Sequence, residues 1–369
     1  MKSKGKGKKI IQPLGNNTGI ITRNSPFFIT SAYIMSFADL CSFLMQPIIV
    51  GHINKMDESP SNSYWFIERV YLDSKQMLSI SGGTLSFTNK QWPHKNVNKL
   101  SCLLAALLHR MDIQESVCGN VEKMFVTVDV LNKLLVVFKE NRGKFLEKIK
   151  DEHSIKAWNK MFDYYIGKWN DVIKSTIKQI MIIPYIVTGN RIYKELPSGF
   201  NIARDAVRLE SLGRSGIYRQ FVVTEYFESA FFDTIKTKKC RTMKELDEYT
   251  TSITINRRFP ITSKALETMI DYLYDVSIHL NSITLLPKML PTFKKRMKHI
   301  HEFLIYYGVF GKLNYDYLTV AEGKYLKHMK QSMVPIPVPQ KHKTAVVTPS
   351  VTVNNNNVSN SSTTENHIV

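Results

Sequence analysis

Along most of this chain the apolar positions recur at intervals of three and four, the period that places side chains on one face of an α-helix. Leu100, Leu103, Leu104, Leu107, Leu108 and Met111 form one such stripe. Leu131, Leu134, Leu135, Phe138, Phe145, Leu146 and Ile149 form another, with charged residues filling the opposite face of each. Ile155, Trp158, Phe162, Tyr165, Ile166, Trp169, Ile173, Ile177 and Ile180 continue the pattern up to Pro184, where the missing backbone N–H stops a helix. The Thr188-Gly189-Asn190 and Pro197-Ser198-Gly199 clusters then mark a loop, a natural boundary between two helical halves. Further helices are predicted from about Ile217 to Ile235, from Thr242, where Thr242-Met-Lys-Glu245 is a capping box, and from Ser263 to Leu280 around Leu266, Met269, Ile270 and Leu273. Ala32 to Ile53 is the most apolar stretch, but Asp39, Gln46, Pro47 and His52 interrupt it. A buried helix ending at Pro47 is expected there instead of a transmembrane segment.

A period of two stands out at one place. Leu78, Ile80, Leu85 and Phe87 alternate with polar residues on either side of Gly82-Gly83, and a two-residue turn would pair Ile80 with Leu85 and Leu78 with Phe87. A β-hairpin near residues 77–88 is therefore expected, with Tyr64 to Leu72 as a possible third strand. Residues 1–25 combine Lys2, Lys4, Lys6, Lys8 and Lys9 with Gly, Asn and Pro, the composition of a disordered cationic arm. Residues 332–369 open with Pro335-Ile-Pro337-Val-Pro339 and turn Asn- and Ser-rich, a disordered polar tail. The expected fold class is thus mainly α with a small β-hairpin or meander in the N-terminal third, α+β only in a minor sense. Its domains are the arm (1–25), a helical subdomain (26–186), a second helical subdomain (187–331) and the tail (332–369).

Composition adds that no cross-link is needed: 369 residues that are 43% hydrophobic can bury a core without metals or disulfides. Cys41, Cys102, Cys118 and Cys240 form no C-x-x-C pair and have no histidine pair at zinc-finger spacing, so free buried thiols in a reducing, intracellular compartment are expected. Gln12, Pro13, Gly15, Asn16 and Asn17 stand where a signal peptide has its apolar core, so export is not expected. Lys2 occupies the position where myristoylation requires glycine.

Charge changes the picture most. Fifty Lys and Arg against 31 Asp and Glu leave a formal net charge of +19, a field that attracts polyanions. AT-rich coding, which favours Lys, Asn, Ile and Tyr together, is the competing source of part of that excess. Three segments concentrate the charge: the arm, the run Lys236, Lys238, Lys239, Arg241 and Lys244, and the run Lys288, Lys294, Lys295, Arg296 and Lys298. Each suits sequence-independent phosphate contacts driven by counterion release. Arg204 and Arg208 share a helix face, with Arg214 and Arg219 beyond them, and are suited either to bidentate phosphate contacts or to ion pairs with Asp205 and Glu210. Tyr306, Tyr307, Phe310, Tyr315 and Tyr317 follow the last lysine run; they could stack on unpaired bases, but no known RNA-binding pattern accompanies them, and at helical spacing they are expected in the core.

Catalytic patterns fail on inspection. Gly308-Val-Phe-Gly311-Lys312-Leu313 has two residues where a P-loop has four between its glycines, and Leu313 where magnesium needs Ser or Thr. Gly213-Arg-Ser215-Gly216 is not a nucleophile elbow, and His299 and His301 point about 200° apart on a helix. No catalytic residue, metal ligand or cofactor is nominated, and an enzyme is not expected. A lysine-rich arm, a helical body with basic surfaces and a polar tail make a plan similar to that of many viral coat and nucleocapsid proteins. That similarity implies RNA packaging through non-specific phosphate contacts, with self-association of the body, in the cytoplasm or virion. The alternatives are a non-packaging RNA-binding or movement-type protein, an enzyme whose site is assembled from distant residues, and weak contact of the basic arm with anionic membranes.

Overall fold

A computed structural model describes residues 29–53, 64–112, 121–183, 196–256, 268–278 and 286–332. Among these residues there are twelve α-helices and no sheet. The N-terminal six are α1 (Ser31–Ile53), α2 (Tyr64–Ile80), α3 (Lys95–Leu108), α4 (Phe125–Leu146), α5 (Glu152–Gly167) and α6 (Trp169–Met181). The others are α7 (Ile202–Ser211), α8 (Gly213–Tyr226), α9 (Met243–Asn256), α10 (Met269–Ile278), α11 (Leu290–Phe310) and α12 (Tyr315–Ser332).

Helix α3 is the centre. Its leucine stripe is buried, and so are Ser101, Cys102, Ala105 and Ala106 on the other side, because α1, α2, α6 and α7 surround it. The small residues let neighbouring backbones approach: Ser101 Oγ donates to the Val172 carbonyl of α6 at 3.2 Å. The Asn98 amide is enclosed there and hydrogen-bonded through both its nitrogen and its oxygen. Asn98 donates to the Phe87 carbonyl at 2.7 Å and accepts from Ser175 Oγ at 2.9 Å, and its own carbonyl accepts from Gln179 Nε2 at 3.1 Å. Beside it, Phe37 of α1 meets the rings of Phe138, Phe162 and Tyr165 at 5.1, 5.5 and 4.8 Å, joining α1, α4 and α5. Helix α7, which follows the proline and glycine clusters at 184–199, packs on α2, α3 and α6, so helices from both sides of that segment share one core.

The hairpin expected at 77–88 is not there. Residues Tyr64–Ile80, including the proposed third strand, form α2, whose buried Phe66, Val70, Ser74, Met77 and Leu78 keep the helical period. Gly82 (φ 49°) and Gly83 (φ 101°) supply the left-handed turn that ends this helix. Leu85 and Phe87 then run without a strand partner, and the Ser86 carbonyl accepts from Gly199 N–H at 2.7 Å. A Gly-Gly pair serves a helix stop as well as a two-residue hairpin turn, and the longer stripe upstream decides between them.

Three boundaries also move. Pro47 lies inside α1, which continues to Ile53. This helix is long and apolar enough to cross a membrane, with a mean hydropathy of 1.6, yet Ile34, Phe37, Cys41, Met45 and Ile49 of one face are buried in the core. The long helix up to Pro184 breaks at Gly167-Lys168 into α5 and α6. The helix expected to reach Ile235 stops at Tyr226, and Ala230 instead forms an isolated parallel bridge with Thr268. Residues 263–267 of the last predicted helix lie outside the described residues, as do Cys118, the arm and the tail beyond Ser332. Cys41, Cys102 and Cys240 are free and buried.

An ionic cluster closes the core between α2, α7 and α11. Buried Glu210 accepts from Arg69 at 3.3 and 3.4 Å and from Arg296 Nη1 at 2.7 Å. Burial opposes its ionisation, but the Arg296 and Arg69 guanidinium groups outweigh that and hold its carboxyl at about 2. Burial and the neighbouring Glu210 charge push Asp73 the other way, to about 8. Asp73 binds its proton more tightly in the folded chain than in the unfolded one. The resulting stabilisation is present in acid and is lost as pH rises from about 4 through about 8. Asp73→Asn, which imitates the protonated acid, is therefore expected to flatten the fall in urea midpoint over this range. It should leave the variant more stable than the parent near pH 9, by roughly 1–3 kcal/mol.

Candidate nucleic-acid interface

Helix α11 buries Phe293, Met297, Ile300, Phe303, Leu304 and Tyr307, and this fixes which side chains face out. Lys294, Lys295 and Lys298 are exposed, as is Lys288 in the 3₁₀ turn before the helix. Arg296 turns inward to Glu210 and also donates to the Leu209 carbonyl at 2.8 Å. Of the four basic residues nominated on this helix, three are open to a ligand and one anchors the helix.

The second lysine run lies in the segment between α8 and α9, where Lys236, Lys238, Lys239 and Arg241 are exposed, with Lys244 in the first turn of α9. This segment is irregular but tied down. Asp233 Oδ1 accepts from the N–H groups of Ile235 and Lys236 at 2.8 and 2.9 Å, and Tyr274 Oη donates to the Lys238 carbonyl at 2.9 Å. The capping box forms on one side: Thr242 Oγ1 accepts from Glu245 N–H at 3.2 Å, while the Glu245 carboxylate accepts from Arg241 N–H at 2.8 Å.

The segment carrying the second run packs along α11, touching its C-terminal end through Cys240 and its N-terminal half through Met243. The Cys240 carbonyl rests directly on Gly308, where any Cβ would collide with it. Lys239 Nζ lies 3.9 Å from the position of a Cβ on Gly311, the left-handed residue (φ 67°) that caps α11. Further along, Met243 and Lys294, Met297, Lys298, His301, Glu302 and Ile305 line a groove of ≈ 390 Å³. Burial pushes the His301 imidazole below its ordinary pKa, so it adds no charge near neutral pH. At the far end Phe310 and Tyr315 are 60% and 59% exposed, and the Tyr306 and Phe310 rings lie 4.6 Å apart. Acids are present too: Lys298 is 3.7 Å from Glu302 and Lys244 is 3.9 Å from Glu248. Both are exposed helical pairs, of the kind that binds a lysine only weakly.

The arginine set is placed differently. Arg204 and Arg208 are buried in α7, and Arg204 donates from Nε and Nη2 to Asp205 Oδ1 at 3.1 Å. Arg214 stacks over the Tyr317 ring at 5.1 Å, and buried Arg219 lies over Phe66 at 4.0 Å. Arg204, Arg208 and Arg219 face the interior, away from any polyanion on the surface, whereas Arg214 is half-buried. Lys2, Lys4, Lys6, Lys8 and Lys9 lie outside the described residues. Of the aromatic residues expected in the core, Tyr307 is buried there, whereas Phe310 and Tyr315 stand in solvent. The one usable signal of this in the sequence is that Phe310 stands just before the Gly311 helix stop, where a side chain has no following turn to pack on. Among the described residues no cluster of three or more His, Cys, Asp or Glu has the arrangement of a metal site.

No family model and no curated protein matches this chain. Among solved structures, a Lactobacillus plantarum protein determined as a structural-genomics target is similar over 76% of this chain and 98% of its own, with 11% identity and a TM-score of 0.40. A likeness of that size carries no argument about fold or function.

Because the Cys240 carbonyl is seated where Gly308 lacks a side chain, Gly308→Ala is expected to destabilise the protein by about 1–3 kcal/mol. It should also speed tryptic cleavage after Lys238 and Lys239. A variant with unchanged melting and unchanged cleavage would show that the contact does not hold the loop.

Proposed function

We propose that this protein is a non-sequence-specific RNA-binding assembly protein of coat or nucleocapsid type, in which the α9–α11 face takes up phosphates. The observation that carries this reading is the basic face of α11, where Lys294 and Lys298 line a groove that Met243, from the segment bearing the second lysine run, also lines. The net charge of +19 supplies long-range attraction. The Tyr306, Phe310 and Tyr315 group offers ring faces beside Lys239 and Lys312, an arrangement suited to unpaired bases. Self-association is supported by apolar side chains left in solvent: α1 and α4 pack on each other and expose Phe43, Ile48, Phe125 and Val136.

The reading is tested by the salt dependence of binding to a fluorescent oligouridylate. Log affinity should fall linearly with log salt, by about 0.7 for each phosphate contacted. Lys294→Gln, Lys295→Gln and Lys298→Gln together should shallow that slope by about 2 while leaving the melting temperature unchanged. Absence of binding even at low salt removes the proposal. Light scattering of the RNA complex separates its two halves: large particles support packaging, and a one-to-one complex favours the non-packaging alternative.

A further inference from the structure

A second basic site lies where the sequence shows no lysine run. Ile29, Thr30, Ser31, Lys95, Asn96, Lys99, Lys160 and Tyr164 line a cleft of ≈ 610 Å³ between the starts of α1 and α3 and the middle of α5. It shares no lining residue with the α9–α11 groove. We propose that this cleft binds a phosphate group carried on a larger molecule.

The charged residues that line the cleft are all basic, and Asp171, an acid nearby, stands outside the lining, 3.5 Å from the cap residue His94. Three lysines line it, and no acid is among the lining residues. Two helix N-termini open on it, and neither has an acid in its first turn. At α3 the cap residue His94 makes no side-chain capping bond, so the N–H groups of Lys95, Asn96 and Val97 have no acceptor from it. At α1, Thr30 Oγ1 accepts from Tyr33 N–H at 3.4 Å, and the N–H groups of Ser31 and Ala32 precede the first helical acceptor. Positive helix ends and lysines gathered on one cavity repel each other, and an oxyanion relieves that repulsion.

Lys99 is the positioned member of the set. Its ammonium donates to Ser31 Oγ at 3.0 Å and lies 5.4 Å from the Phe87 ring centre, which fixes it at the junction of α1 and α3. Burial, and after it the Lys95 charge, lowers its pKa, as expected of a cation held without a carboxylate at the cleft. Lys95 and Lys160 are exposed at the rim. The Thr30, Ser31 and Tyr164 hydroxyls and the Asn96 amide complete a shell of donors, which suits a tetrahedral dianion with several acceptor oxygens. The cleft is the size of a small-molecule site, and Ile29 and Tyr164 give it an apolar wall, so the phosphate is one end of the ligand.

The phosphate could be that of a phosphorylated small molecule or of a nucleic-acid backbone, and titration calorimetry on the full chain separates them. Inorganic phosphate is the probe, with chloride holding ionic strength constant. The parent protein should bind it, and Lys99→Gln should weaken binding at least about tenfold, the loss of one charge-assisted contact. Lys99→Arg should retain binding, and Lys133→Gln, on the distant exposed face of α4, should leave it unchanged. Lys95→Gln, altered only at the rim, gives the same reading if Lys99→Gln fails to fold. Displacement of phosphate by an oligouridylate lacking terminal phosphates assigns the site to backbone phosphate, and failure to displace assigns it to a small molecule. No phosphate uptake by the parent, or uptake unaffected by both Lys95→Gln and Lys99→Gln, overturns the inference. Neither result depends on the α9–α11 lysines, so the two sites stand or fall separately.

Discussion

Glu210 is the side chain on which the placement of the charged surface depends. It is a buried carboxylate held by Arg69 from α2 and Arg296 from α11, and its charge is tolerated in the core because these guanidinium groups pair with it. Once Arg296 is fixed inward, helical geometry does the rest. At 100° per residue, Lys294 and Lys298 fall about 160° around α11 from Arg296 and must face solvent. Phe293, Met297 and Ile300 lie within about 100° of it and are buried with it. The basic face of α11 is thus a consequence of how its opposite face is anchored.

The same cluster shows how a strongly cationic chain sorts its charges. Arg204, Arg219 and Arg296 turn inward, where the planar fork pairs with Asp205 and Glu210 or lies over the ring of Phe66. Lysines go outside, where each keeps its hydration and a mobile point charge. Glycine then permits a close approach of the 236–244 segment to the C-terminal part of α11, with the Cys240 carbonyl seated on Gly308. The resulting surface has the features of a phosphate-tracking face, with ring platforms at one end, and none of them requires a folded arm.

Much of the helical architecture was legible because it is written locally. The stripes of α3 to α6 are periodic over many turns, and the Thr242 capping box sits within four residues. What was not legible depended on partners far along the chain. Glu210 meets Arg69 and Arg296 at separations of 141 and 86 residues, so nothing in the local pattern distinguished Arg296 from the lysines beside it. Gly82-Gly83 misled for a different reason: the pair satisfies the left-handed requirement of a helix stop and of a hairpin turn equally, and only the burial of Phe66, Val70 and Met77 favours the first. Lys95, Lys99 and Lys160 escaped notice because they are ordinary single lysines until α1, α3 and α5 bring them to one cleft.

The central claim is that one continuous face, α11 together with the 236–244 segment, receives RNA. Ultraviolet cross-linking of the full chain to oligouridylate, followed by peptide mass spectrometry, reads that face directly. The account predicts adducts concentrated in the peptides that contain Lys236 to Lys244 and Lys294 to Phe310, with Tyr306 and Phe310 as the favoured ring acceptors. Cross-links confined to other helices, or to none of the described residues, would contradict it.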